Sequence, residues 1–284
     1  MNKHATERIM FGLFRAVALT LVAIVLGLLL FIFARGASVL SLDFLTSPPE
    51  QGMLAGGIST PILGTLLIMF LTVVFAIPLG VGAAVFLSEY TDRVDPKIIR
   101  VVRLAINNLA GVPSIVYGLL GLGLFVLLMN LRFSVLSASL TLSFLTLPVI
   151  IAASEEALRN VPRAYREASL ALGATKWETV RNVVLPSALP GIMTACILGL
   201  SRAAGETAPL LMTGAAYYLP RFSGNVYRQF MALSTHIFYM ATQSPNPDLT
   251  RPIQYGTITI LLVIVLSMNL VAVLVRSRYR RKMR

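Results

Sequence analysis

Two charged residues stand where charge is costly. Arg202 and Glu206 lie in an otherwise apolar run, CILGLSRAAGETAPLLM. An arginine at mid-bilayer costs about 2.5–3.5 kcal/mol on insertion scales. Four residues apart on a helix, the two share one face. Gly205, Ser201 and Thr207 lie beside them, offering close approach and neutral hydroxyls. A guanidinium presents paired donors that match the oxygens of an oxyanion. A carboxylate beside it accepts a protonated oxygen and keeps the cation from holding the anion too tightly for release. The alternative is a self-neutralised pair that only packs helices, which still needs further hydrogen bonds.

A second group lies outside the apolar runs, in 155–186. Glu155 and Glu156 lead to Pro162, a residue suited to the first helical position. Tyr165, Ala168 and Leu172 then recur at helical spacing, and Gly173 supplies a stop. Thr175 and Glu178 form a T-x-x-E capping box for a second short helix, which Pro186 closes. The spacing therefore predicts two short helices around a glycine hinge. Tyr165 and Trp177, the chain's single tryptophan, are expected at its surface amid mixed charge. A connector lying on the membrane is one reading. Its acids, Glu155, Glu156, Glu167 and Glu178, suit a protein groove better than an anionic lipid surface.

The elements that must position these residues follow from composition. Of 284 residues, 56% are hydrophobic and 13% charged. A soluble domain carries about 25% charge, so the chain reads as an all-α integral membrane protein. Disorder, collagen-like repeats and a disulfide framework (one cysteine) are excluded. Long unbroken apolar runs exclude a membrane barrel. Six transmembrane helices are expected, at about Ala16–Ala34, Ile62–Leu87, Leu109–Met129, Ser134–Ala153, Ala188–Thr213 and Gly256–Val275. The first is too long for a signal-peptide core and reads as a retained helix. Residues 1–57 form an N-terminal segment with the first span and first outer loop. Residues 58–276 form the core with five spans and the 155–186 loop, and 277–284 form a basic tail.

Of the 24 Lys and Arg, 18 fall in the N-terminal segment, the second and fourth connections and the tail. They include Arg93, Lys97, Arg100, Arg103 and Arg284. The alternate loops hold Arg35, Arg132, Arg221, Arg228 and Arg251. By the positive-inside rule both termini are cytoplasmic. The net charge of +12 is mostly this topology signal, with no soluble basic face for nucleic acid.

Smaller marks have plain readings. Ala76, Gly80 and Ala84 form a small-residue ladder for helix contact. Gly118, Gly121 and Gly123 read as packing glycines, Asn107 and Asn108 as caps of the third span. Cys196 is expected to pack, and His236 to be an ordinary surface residue of the last outer loop. His4 and His236 are too few and too far apart for a histidine-rich metal site, so no metal is expected.

Glu167-Ala168-Ser169, three residues, Gly173, nine residues, Val183, one residue, Leu185-Pro186 resembles the EAA loop of ABC-importer permeases. That pattern reads E-A-A-x3-G-x9-I-x-L-P. Ser169 and Val183 depart from it, and its spacing is kept. Gly56-Gly57-Ile58, Pro61-Ile62, Gly64-Thr65, Ile77-Pro78-Leu79-Gly80, Glu89-Tyr90 and the Ser201–Thr207 run are similar to the PstA family, the A-type permeases of phosphate importers.

The resemblance implies a type I ABC-importer permease fold with cytoplasmic coupling helices, in a bacterial inner membrane. It implies a coupling site of Glu167, Ala168, Ser169, Gly173, Leu185 and Pro186, docking in a cleft of an ATPase with Glu167 making the charged contact. It implies a phosphate path at Arg202 and Glu206, with Ser201 and Thr207 beside them. The implied partners are a related second permease in a heterodimer, two copies of an ATP-binding subunit and an extracytoplasmic phosphate-binding protein. No G-x4-G-K-[ST] loop occurs, so ATP and Mg belong to the ATPase partner and this chain carries no cofactor and no catalytic residue. Permeases for phosphonate, sulfate or molybdate remain the nearest alternative. An intramembrane enzyme would need a second titratable group near Glu206, and the spans contain no His, no Asp and no second acid.

Overall fold

The computed structural model describes residues 3–92 and 94–282. Arg93 and Arg284 of the basic count lie outside them. The described chain is almost wholly helical, with one two-residue hairpin, β1 (Pro49–Glu50) against β2 (Ala55–Gly56). Five helical stretches are long and apolar enough to cross a membrane, and a bent pair makes a sixth.

Three helices form the centre. These are α3 (Ser59–Glu89), α6 (Val135–Arg159) and α9 (Leu185–Ala204); α1 (Lys3–Gly36) and α2 (Leu42–Thr46) precede them. The small-residue ladder holds: Ala76, Gly80 and Ala84 are buried, and a Cβ on Gly80 would stand 2.7 Å from Ile150 of α6. Gly191 and Gly199 bring α9 equally close to Ala157 and Ile150. Cys196 packs in the same apolar cluster, as expected. Four hydroxyls of buried α6, on Ser139, Thr141, Ser143 and Thr146, donate to carbonyls four residues back at 2.7–3.0 Å. This satisfies them without a partner helix.

The third span departs from expectation. Instead of a loop and one helix from Leu109, α4 (Pro96–Ala110) turns through 104° into α5 (Ser114–Gly121), which runs on as wide π-type turns over Leu122–Leu128. Asp95 caps α4 by accepting from Lys97 N–H at 2.8 Å. Ile98, Val101, Ala105 and Leu109 line one side of α4, and Arg100, Arg103 and Asn107 the other. Asn107 and Asn108 are therefore inside a helix and do not cap the span. Gly111 and Pro113 make the bend, since Pro113 disfavours helical geometry at Val112. The Tyr117 hydroxyl donates to the Leu109 carbonyl at 2.9 Å and ties the two arms. Ser114–Leu128 covers about 22 Å at helical rise, less than the about 30 Å of hydrocarbon.

Beyond α6 come α7 (Arg163–Ala171), α8 (Lys176–Thr179), α9, α10 (Ala208–Thr213), α11 (Leu233–Gln243) and α12 (Pro247–Lys282). Residues 277–282 continue α12. His236 corrects the surface reading. It sits on the inner side of α11, 1% exposed, with neither ring nitrogen hydrogen-bonded. Burial lowers its pKa to about 4.

Candidate functional site

The first site lies where α3 and α6 end and α9 begins. α7 starts after Pro162, which is its N-cap rather than its first helical residue. It ends at Gly173, with φ at +88°, the left-handed conformation that a glycine stop needs. Thr175 and Glu178 form the full capping box of α8. Between them the turn carries Leu172, 90% exposed, and α8 presents Trp177 at 55%. Glu167 and Ala168 are exposed, while the Ser169 hydroxyl meets that of Thr179 at 2.9 Å.

Pro186 does not close the second helix. α8 passes into α9 through one wide turn, Val180–Val184, where Leu185 N–H bonds the Val180 carbonyl five residues back. The widened turn moves the preceding carbonyls away from the Pro186 ring, relieving the clash that breaks ordinary helices. Leu185 packs half-buried on the α3–α6–α9 cluster. Lys176–Ala204 is thus one continuous unit.

Two ion pairs fasten this loop to the end of α3 and the turn after it. Arg166 meets Glu89 through Nη2 at 2.7 Å and Nε at 3.1 Å, and also donates to the Leu158 and Val161 carbonyls. Lys176 pairs with Asp92, which holds the Asp92 carboxyl below its usual range. Nearby, Arg103 of α4 meets Glu155 of α6 at 2.8 Å, and Arg159, one turn on in α6, meets the same carboxylate at 3.2 Å. None of these long-range pairs was read from the sequence.

The second site lies at a break. The fifth span does not run through to Thr213: α9 stops at Gly205 and α10 begins after Thr207. Pro209 explains it, because within a continuous helix its ring would strike the Gly205 carbonyl, whereas in the first turn of α10 it needs no N–H. The motif Gly205-x3-Pro209 was the available signal. Arg202 is therefore in the last turn of α9, and Glu206 lies beyond the helix end rather than on its face.

The pair still meets, Arg202 Nε to Glu206 Oε1 at 3.5 Å, with the side chains 38% and 15% exposed. The Arg202 Nη groups have no acceptor among the described residues, so donors are left for a ligand. Ser234 of α11 donates to the Glu206 carbonyl at 2.8 Å and holds the break. Thr207 is half-buried beside it. Ser201 is turned away: its hydroxyl lies 2.7 Å from the Ile197 carbonyl and 2.5 Å from the Asn269 side-chain oxygen of α12.

Across the break stands α5. A Cβ on Gly118 would touch Pro209 at 3.0 Å, and Tyr117 lies within electrostatic range of Arg202. Gly121 likewise admits Thr141, whereas a Cβ on Gly123 would meet nothing of this chain within 4 Å. Tyr117 was missed because nothing in sequence brings it to Arg202. Two interrupted spans thus meet near one charged pair, an arrangement known for membrane sites that bind small solutes.

Residues 25–284 match the family of binding-protein-dependent transport system inner membrane components. The chain belongs to this family. Among its relatives is a probable ABC transporter permease protein, YqgI, of Bacillus subtilis, 36% identical over 96% of this chain and 95% of its own length. Another is the phosphate transport system permease protein PstA 1 of Mycobacterium tuberculosis, 37% identical over 83% of this chain and 74% of its own. The fold is that of type I importer permeases. A bacterial alginate ABC transporter structure superposes with a TM-score of 0.65 at 14% identity, over 98% of this chain and 96% of that one. The chain is a multi-pass inner-membrane component of the family, and the similarity to PstA permeases read from its motifs is borne out.

Proposed function

We propose that this chain is the non-catalytic permease subunit of an ABC importer for inorganic phosphate. The observation that carries the reading is the Arg202–Glu206 pair at the break between α9 and α10, loosely joined at 3.5 Å and retaining free guanidinium donors. Named relatives that are phosphate permeases support the substrate. An ion pair that served packing alone would gain from tight bidentate geometry. Glu206 accepts the hydroxyl of hydrogen phosphate and disfavours sulfate, which has no proton to offer.

The end bearing α7 and α8 is cytoplasmic in this reading, as are both termini. Exposed Tyr165, Leu172 and Trp177, with Glu167, dock on one of two ATP-binding subunits, which hold ATP and Mg. Glu167, Ala168, Ser169 and Gly173 form the docking helix and its stop, and Leu185 and Pro186 lie on the shaft that carries its movement to Arg202. A related second permease completes the pathway, and an extracytoplasmic binding protein delivers the anion. The chain binds no cofactor of its own.

The test is uptake by the reconstituted importer. ATP-dependent accumulation of radiolabelled phosphate, unaffected by excess sulfate or molybdate, is expected. Competition by sulfate would overturn phosphate selectivity. Absence of any oxyanion uptake would overturn the anion reading itself.

A further inference from the structure

We propose that Arg132, Arg221 and Arg228 form an anion-collecting site at the mouth above the Arg202–Glu206 pair; this rests on the phosphate-import reading. These arginines lie at the end of the molecule opposite α7 and α8. All are exposed, and none has an ion pair or side-chain hydrogen bond among the described residues.

Their backbones are built around one point, the start of α6. The Arg228 carbonyl accepts from Val135 N–H at 3.0 Å, and the Val226 carbonyl from Leu136 N–H at 2.9 Å. The Arg132 carbonyl accepts from the Ser137 hydroxyl at 2.8 Å. Phe222, next to Arg221, packs on the apolar cluster that holds Val135, Leu210 and Ala215. The far end of α10 joins there too: Ser134 N–H bonds the Thr213 carbonyl at 3.1 Å, and a Cβ on Gly214 would strike Ser134 at 2.6 Å. The arginine-bearing loops and the charged break therefore lie at the two ends of α10, about 9 Å apart at helical rise.

The loop is also held in a costly shape. Arg132 has a φ of +58°, a conformation that bulky residues adopt at a cost and that clusters at ligand clamps; Asn130, at +53°, is of a type that tolerates it. Of the acids at this end, Asp248 pairs with Arg251 and Asp43 accepts from the Ser47 hydroxyl, while Glu50, beside the Pro49 carbonyl that accepts from the Tyr218 hydroxyl, makes no ion pair with the three arginines among the described residues. Three unneutralised guanidinium groups around one mouth raise the local concentration of anions. Phosphate released there is handed inward to Arg202.

The experiment uses the complete importer in proteoliposomes, with the variants Arg132→Asn, Arg221→Gln and Arg228→Gln combined. Asparagine is chosen at 132 because it tolerates positive φ. Phosphate uptake is expected to fall about tenfold, while ATPase stimulation by loaded binding protein and the amount of protein stay unchanged. The triple lysine variant is expected to recover most of the uptake. Unchanged uptake in the neutral variant would overturn the proposal. So would a parallel loss of ATPase stimulation, which would make the face a docking surface for the binding protein. Loss of protein in neutral and lysine variants alike would assign the arginines to folding and also overturn it. A wild-type importer that carries no phosphate would overturn this site and the functional reading together, whereas the other outcomes leave that reading intact.

Discussion

Arg166 of α7 and Glu89 at the end of α3 form a two-pronged ion pair, at 2.7 and 3.1 Å, between residues 77 positions apart. It fastens α7 to the long helix beside it, and both partners are largely buried. Force applied at α7 therefore reaches α3 as well as α9.

Glu89→Gln strands the guanidinium, and breaking such a pair costs about 3–5 kcal/mol. Thermal unfolding of the purified protein should shift down accordingly. Phosphate uptake per ATP hydrolysed should fall as well. The reversed pair, Glu89→Arg with Arg166→Glu, should restore part of both. Failure of Glu89→Gln to change either measurement would show that the contact carries no load.

At Gly173 the constraint is backbone conformation alone. A Cβ there meets no atom within 4 Å, yet φ is +88°. Gly173→Ala should destabilise the turn by about 1–2 kcal/mol and weaken copurification of the ATPase. Gly173→Asn should be milder, because asparagine tolerates the left-handed region. Equal effects of Ala and Asn would point to lost surface contact instead.

Neutralising the charged pair separates transport from packing. Arg202→Gln and Glu206→Gln should each abolish phosphate uptake, and Arg202→Gln with Glu206→Gln should give normal protein level and remain inactive. Recovery of uptake in the double variant would assign the pair to packing. Ser201→Ala, by contrast, should leave uptake near normal, since its hydroxyl faces Asn269. It should cost about 0.6 kcal/mol of stability, the average for such contacts in membranes.

His236 predicts an acid-sensitive fold. Its folded pKa of about 4 lies below the ordinary 6.5. Between those values the unfolded chain binds a proton that the folded chain refuses, so stability falls as pH drops from 6.5 toward 4. The full loss is about 3 kcal/mol. Unfolding of the purified protein at pH 5 and pH 7.5 should show it, and His236→Leu should flatten that part of the difference. An unchanged pH dependence in His236→Leu would place the acid sensitivity elsewhere.

What the sequence disclosed was local chemistry. The Thr175–Glu178 box, the Gly173 stop and the Ala76–Gly80–Ala84 ladder depend on neighbours within a turn or two, and each is present. Charge hid α4, because Arg100 and Arg103 read as loop basics although they form the polar side of a helix. Apolarity hid the break at Gly205–Thr207, because hydropathy continues through Ala208–Met212 and does not register a change of direction. His236 was misread because a polar, Pro-rich loop folds back on α3 and α12, a matter of long-range packing. Glu89, Arg166 and Tyr117 acquire their partners only in three dimensions.

The wide turn at Val180–Val184 also fixes an angle. A π-type turn amounts to one residue inserted in a helix, and each residue rotates a helix by about 100°. Trp177 on one side of the turn and Arg202 on the other are rigidly phased by that single residue. Deleting Val183 would keep every side chain proposed for docking and for anion contact, yet point them in mismatched directions. The chain thus stores its timing as a twist, and a screen of one-residue deletions along 180–184 would read that twist directly.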